Sequence, residues 1–186
     1  ITSLKKWGAE LTKRLNKGQI TSTQNDGLQL QLATVSADIN TTARAAVLAA
    51  TDEASLVAAC RSVVTTYRVY KVVHPQVFLM ATAYAWQNRL DALDAAIVTQ
   101  TARAITDAKF VKKLGEVSAR VAYSRPKVTN VTTNAPLVTA SSYNLATKAT
   151  DKQFRAMRRD LERVRGKIKS AEHKVHQLER YKAKTK

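Results

Sequence analysis

A chain of 186 residues with 45% hydrophobic content can bury a core of its own, and reads most simply as one elongated domain or one domain plus an arm. Its 31 Lys/Arg outnumber 14 Asp/Glu, and a formal charge of +17 points to an anionic polymer or an acidic protein surface as partner: nucleic acid, a teichoic-type polymer and an acidic membrane all qualify. The single Cys60 excludes an internal disulfide, and the longest largely apolar run, residues 77–86, is half the ~20 residues a bilayer crossing needs, so no transmembrane span is expected.

With five glycines and three prolines to turn on, and almost no β-type alternation, the predicted fold is all-α. The expected architecture is an elongated helical bundle of about five to six antiparallel helices with a long basic C-terminal coiled-coil helix. Ser3 can cap a first helix with Leu4, Trp7, Leu11 and Leu15 on one face, and Lys17 with Gly18 supplies its stop. Thr21, Ser22 or Thr23 can cap a second, which carries Leu32, Val35, Ile39 and Ala46 toward the core and reaches about Ala50 through a weak middle at Asn40, Thr41 and Thr42. Asp52 and Glu53 suit the first turn of a third helix through the helix dipole. Its stripe is Leu56, Ala59, Val63, Tyr67 and Tyr70, and Cys60 is expected as a small buried hydrophobe.

Pro75 ends that helix, because the residue before a proline is pushed out of the α region, and His74 sits at the corner. The same proline suits the first turn of a fourth helix with the stripe Leu79, Ala83, Trp86, Leu90, Leu93 and Ile97. This helix either continues through Thr101 to Thr106 or breaks near Asp107, after which Phe110, Val111, Leu114, Val117 and Val121 carry the pattern until Pro126 ends it. The bundle is thus expected over 1–125, a Thr/Asn/Pro-containing linker over 126–141, and a helix capped by Ser141 or Ser142 over 142–186.

In that last helix Phe154, Met157, Leu161, Val164, Ile168, Ala171, Val175 and Leu178 keep a strict seven-residue period. Such a stripe stays aligned with a partner helix when the two supercoil. The helix before the linker is the expected antiparallel partner, and any end that outruns it would pair with another copy. From Lys148 to Lys186 there are 14 Lys/Arg against 5 Asp/Glu, a net of +9, so the outer face is basic. Lys152, Arg155, Arg158, Arg159, Arg163, Arg165, Lys167, Lys169 and Lys174 are the candidate polyanion-binding residues, with Arg68 and Lys71 as a second surface patch.

Catalytic motifs are absent from this reading. There is no phosphate-cradling glycine loop, nucleophile elbow or metal-ligand cluster, so neither enzymatic activity nor a cofactor is expected. His173 and His176 stand at i, i+3 without a third ligand, and are expected in a structural or solvent-facing role. Glu172 and Glu179 are expected to pair with Lys or Arg one turn away, and Asp91 with Asp94 to be solvated rather than to face each other across a cleft. The segment Tyr67, Arg68, Val69, Tyr70, Lys71 interleaves aromatic and basic residues as single-strand binders do, but helical spacing puts the tyrosines on the core stripe, with Gln76 and His74 as partners for their hydroxyls.

The run from Cys60 to Tyr70, followed by His74, Pro75, Gln76 and Val77, resembles a segment of uncharacterised exported all-helical proteins of actinobacteria and related or candidate-phylum bacteria. In those proteins an aromatic-Asn pair, matched here by Tyr143 and Asn144, opens a terminal helix. Thr66 stands where that pattern has Asp, and the arm is more basic than the pattern. The resemblance implies an exported or surface-exposed helical protein and no reaction. The chain begins at Ile1 rather than Met, as a processed or trimmed protein would. The expected function is that of a non-catalytic secreted or cell-surface protein binding anionic envelope polymers or a partner cell. The alternatives are a cytoplasmic nucleic-acid-binding or architectural protein, and a structural protein self-assembling through the C-terminal helix.

Overall fold

The structure, a computed structural model, describes residues 2–181. It is an all-α helical bundle, 87% helical with no strand among the described residues. The α-helices are α1 (Thr2–Asn16), α2 (Ser22–Asp38), α3 (Arg44–Leu48), α4 (Glu53–Tyr67), α5 (His74–Ala102), α6 (Ala108–Asn134), α7 (Ala140–Leu145) and α8 (Thr147–Glu179). Two π-helical segments, Ile39–Ala43 and Val69–Val73, lead into α3 and α5.

Local chemistry sets most of the boundaries. Ser3 lies inside α1 rather than before it. Gly18 at φ 63° ends α1 with the paired bonds Gly18 N–H to Leu15 C=O (2.8 Å) and Gln19 N–H to Arg14 C=O (3.0 Å), the Schellman arrangement that a left-handed residue permits. Capping boxes at Thr21 with Gln24, Asp52 with Ser55 and Thr139 with Ser142 open α2, α4 and α7, each satisfying two otherwise orphaned N–H groups. The weak Thr/Asn-rich stretch becomes the first π segment. There Thr41 Oγ1 donates to Ala37 C=O (3.0 Å), a bond that competes with the regular helical ladder, and Thr42 Oγ1 donates to the Asp38 side chain (2.7 Å).

The chain divides into two compact units, Ile1–Ala81 with Thr133–Arg155, and Thr82–Thr132 with Ala156–Lys186. No boundary falls at 125/126, and residues 182–186 of the expected terminal segment lie outside the described residues. In unit 1 the core is built on Leu4 and Leu11 of α1, Leu28 and Leu32 of α2, and Val77 and Leu79 of α5. Buried Gln76 links three elements: its Nε2 donates to Ala135 C=O (2.8 Å), and its Oε1 accepts from Gln31 Nε2. Trp7 stacks on His74 at 4.2 Å and meets Tyr70 edge-on at 5.8 Å.

Several expectations fail in unit 1. The third helix stops at Tyr67, not at Pro75, because Arg68 adopts a left-handed φ of 42°. Its stripe is not core: α4 has no buried residue, Leu56 and Tyr70 are exposed, and so is Cys60. The reason is that α4 touches mainly the short segments α3, α7 and the π segments, too little surface to cover a fifteen-residue helix. Ala46 is exposed as well. The tyrosine hydroxyls find other partners: Tyr70 shares a 2.7 Å bond with Ser3 Oγ, while burial and then a hydrogen bond to Asp38 push the Tyr67 phenol above its ordinary pKa.

Unit 2 consists of stretches of α5, α6 and α8. α5 ends at Ala102 and α6 restarts after Asp107, whose Oδ1 accepts from Lys109 N–H (2.8 Å) and Phe110 N–H (3.2 Å). The expected linker over 126–141 is mostly helix, because α6 runs through Pro126 to Asn134. Proline lacks an N–H, so the Ala122 carbonyl loses its donor, but both residues are exposed and water can take that place. The stripe Val117, Val121, Ser124, Val128, Val131 continues across the proline, and burial of both later valines holds the helix together. Thr139, not Ser141 or Ser142, is the cap that follows, and it opens the short α7.

Pro126→Ala should therefore stabilise the fold, by about 1–3 kcal/mol if the helical ladder closes. Urea denaturation is the check, and a loss of stability would show that proline shapes α6 there.

Candidate polyanion-binding face of the terminal helix

All eight residues of the seven-residue stripe on α8 are buried, with relative exposures between 0 and 7%. The seam is closed within the chain, so no end of this stripe is left among the described residues for a second copy to cover. Ion pairs flank it. On one side Arg89 of α5 holds Glu172 through two donors, Nε to Oε1 at 2.6 Å and Nη2 to Oε2, with its guanidinium 4.9 Å over Trp86. On the other, α6 supplies Glu116 to Lys174, Lys127 to Asp160 (3.7 Å) and Arg120 Nε to Ser170 Oγ (3.1 Å). Along α6 from 116 to 127 the partners on α8 run from 174 back to 160, so these two helices are antiparallel.

The expectations about acidic residues change accordingly. Asp91 and Asp94 are not merely solvated: both bind Arg125 of α6, Asp91 at 2.9 Å. Burial works against the Arg125 charge, but those carboxylates outweigh it and raise its pKa. Glu172 reaches across to α5 rather than along its own helix, and Glu179 pairs with His176 (2.9 Å). At the end of α8, Arg103 donates to the carbonyls of Leu178 (2.6 Å), which also accepts from Tyr181 N–H (3.1 Å), and of Tyr181 (2.7 Å). A hydrogen bond from the Tyr181 hydroxyl, with the two backbone donors, holds the Asp107 carboxyl below its usual range.

The predicted cations separate by surroundings. Lys152, Arg155, Arg158, Arg159, Arg165 and Lys169 are exposed and have no carboxylate within pairing distance among the described residues. Lys152 and Arg155 lie on the unit 1 part of α8 and the other four on the unit 2 part. Lys167 is exposed but sits 5.5 Å over the Tyr123 ring, and Arg163 pairs loosely with Asp160 at 3.7 Å while its side chain stays 64% exposed. Lys174 is committed to Glu116 and is only 22% exposed, so it belongs to the packing and not to the open face.

Arg68 is likewise committed. Its Nε donates to Asn144 Oδ1 (2.6 Å), its guanidinium lies 5.5 Å over Tyr143, and Asn144 Nδ2 donates to Thr65 C=O (2.9 Å). Lys71 alone of that patch is exposed and free of such contacts. Arg180 was missed, although Lys152, Arg159, His173 and Arg180 share the most outward line of the helix at multiples of seven residues. His173 accepts or donates with Gln177 (2.8 Å), and with His176, Gln177 and Arg180 it lines a shallow open depression. No group of three metal-ligating side chains occurs among the described residues, and no helix there is long and apolar enough to cross a membrane. No protein-family model, curated protein or solved structure matches the chain.

Paired and open cations should behave differently. Lys174→Gln should lower thermal stability measurably, while Arg159→Gln should leave it unchanged; equal losses would contradict the distinction. The hydrogen bond from Lys174 holds the Glu116 carboxyl below its ordinary pKa. A depressed folded pKa gives stability that is full above the unfolded value near ~4.3 and is lost as pH falls through the folded one. Tm should thus drop more steeply below about pH 4 in the parent chain than in Glu116→Gln, as calorimetry across that range would show.

Proposed function

We propose that this is a non-catalytic exported or cell-surface helical protein that binds anionic envelope polymers through the outward face of α8. The observation that carries the reading is the sorting of charge on that helix. The cations turned toward α6 are used up in ion pairs or ring contacts, whereas Arg158, Arg159, Arg165 and Lys169 are exposed and unpaired. Unpaired like charges on one helix repel one another, at a few tenths of a kcal/mol per i, i+4 pair, so the face is better satisfied when a polyanion neutralises it. The resemblance of the Tyr67–Gln76 segment to exported helical proteins supports the location; the chemistry rests on the face alone.

Binding of this kind is governed by total charge and by screening, whose length is about 8 Å at physiological salt. The quadruple variant Arg155→Gln, Arg158→Gln, Arg159→Gln and Arg163→Gln should elute from a teichoic-acid or heparin matrix at clearly lower salt. For a DNA-like charge density, the slope of log affinity against log salt should fall by about 3.6, at ~0.9 per contact removed. Retention of the variant at the parent salt concentration would defeat the proposal. Tighter binding to duplex DNA than to envelope polymer at physiological salt would instead favour an architectural role on nucleic acid.

A further inference from the structure

Where α6 and α8 of unit 2 meet, the cations are arranged around one exposed ring. Tyr123 is 41% exposed, and two ammoniums lie over it: Lys127 Nζ stands 4.9 Å from the ring centroid and Lys167 Nζ 5.5 Å. Lys127 Nζ is also 3.7 Å from Asp160 Oδ1, and Arg163 Nη1 is 3.7 Å from that same oxygen. One ring and one carboxylate oxygen thus gather three cations from two helices, with Lys127 common to both groupings. A neutral ring positions an ammonium without cancelling its charge. Three cations against the single Asp160 leave the cluster at +2.

We infer that this cluster docks a phosphodiester group of the envelope polymer, an inference that rests on the polyanion reading of α8 and adds a preferred chemistry to it. Both contacts to Asp160 exceed hydrogen-bond length, so the donors of Lys127, Arg163 and Lys167 lack a protein acceptor among the described residues. Arg158, Arg159, Arg165 and Lys169 have neither a ring nor a carboxylate beside them there. The three clustered cations differ in being held in place, and side chains already held lose less freedom when a ligand arrives. The acceptor follows from their directions of approach. Cations projecting from two helices suit an anion whose charged oxygens spread tetrahedrally, and lysine meets phosphate as a point charge that needs no fixed plane. The ester carbons of a phosphodiester can then lie along the exposed Tyr123 ring. A carboxylate offers two oxygens in one plane, and Asp160 already occupies that role in the cluster.

The test compares binding of the full chain to a glycerol-phosphate polymer and to poly-γ-glutamate, a carboxylate polymer of similar charge spacing, over a salt series. The parent should prefer the phosphodiester polymer by about fivefold. Tyr123→Leu removes no charge, so it should leave the salt slope unchanged while lowering affinity for the phosphodiester polymer about fivefold and leaving that for poly-γ-glutamate as it was. Tyr123→Phe keeps the ring and should bind like the parent, with thermal melts followed by circular dichroism showing both variants folded. Lys167→Gln should lower affinity and slope together. Equal binding of the two polymers by the parent, unchanged affinity in Tyr123→Leu, or an equal loss on both polymers would overturn the role of the cluster while leaving the charge-governed reading intact. Failure of the parent to bind either polymer would overturn both.

Discussion

Closure of the α8 seam inside the chain is the constraint on which the rest of unit 2 depends. From Met157 to Leu178 seven side chains at seven-residue periodicity are withdrawn from water, and each such burial is worth on the order of 1.5–3 kcal/mol for a large aliphatic residue. Because the seam fixes the rotation of α8, it also fixes which charged residues look inward along its flanks. Glu172, Lys174 and Asp160 fall beside neighbouring helices and find partners there. The ion pairs add modest energy but penalise any slip in register, since sliding α8 by one turn would leave several charges opposite the wrong group.

The same rotation leaves the outward cations with nothing to pair with. Their density is sustainable because each is exposed, and water removes most of the repulsion between neighbours. The arrangement is stable in isolation and electrostatically unsatisfied at once, which is the condition under which a flexible polyanion gains most by displacing counterions. The packing cations and the open cations share one helix and differ only in angular position.

Unit 1 shows how two short sequence features act together. The Arg68 and Asn144 neighbourhoods, seventy-six positions apart, form a latch in which the Arg68 guanidinium bridges the Asn144 side chain and the Tyr143 ring. The left-handed backbone at Arg68 turns the chain out of α4, and Asn144 in turn satisfies the Thr65 carbonyl near that helix end. An interleaved aromatic and basic run that would suit a nucleic-acid binder is thereby a helix stop and a clasp. Arg68 is withdrawn from any free basic patch, and α4 keeps Leu56, Val57 and Val64 exposed.

Periodicity and composition by themselves determined the helical class, the α8 stripe residue by residue, the start of α4 near Asp52 and the stop at Gly18, and narrowed the cap of α2 to Thr21, Ser22 or Thr23, because each depends on interactions within a few residues. The basic face was legible in the same way, since the stripe sets the rotation. What only the tertiary structure decided were the features where distant neighbours outweigh local rules. Pro126 reads locally as a terminator, yet burial of Val128 and Val131 outweighs the missing bond. Cys60 and Leu56 read as core because they are apolar and in step, yet the short segments beside α4 cannot cover them. Lys174 reads like every other cation on the arm, and only the approach of Glu116 from α6 takes it out of the open face. A local rule states what a residue prefers; which surface stands opposite it is set by the whole chain, and there lies the difference between a charge that holds the fold together and one left open to solvent.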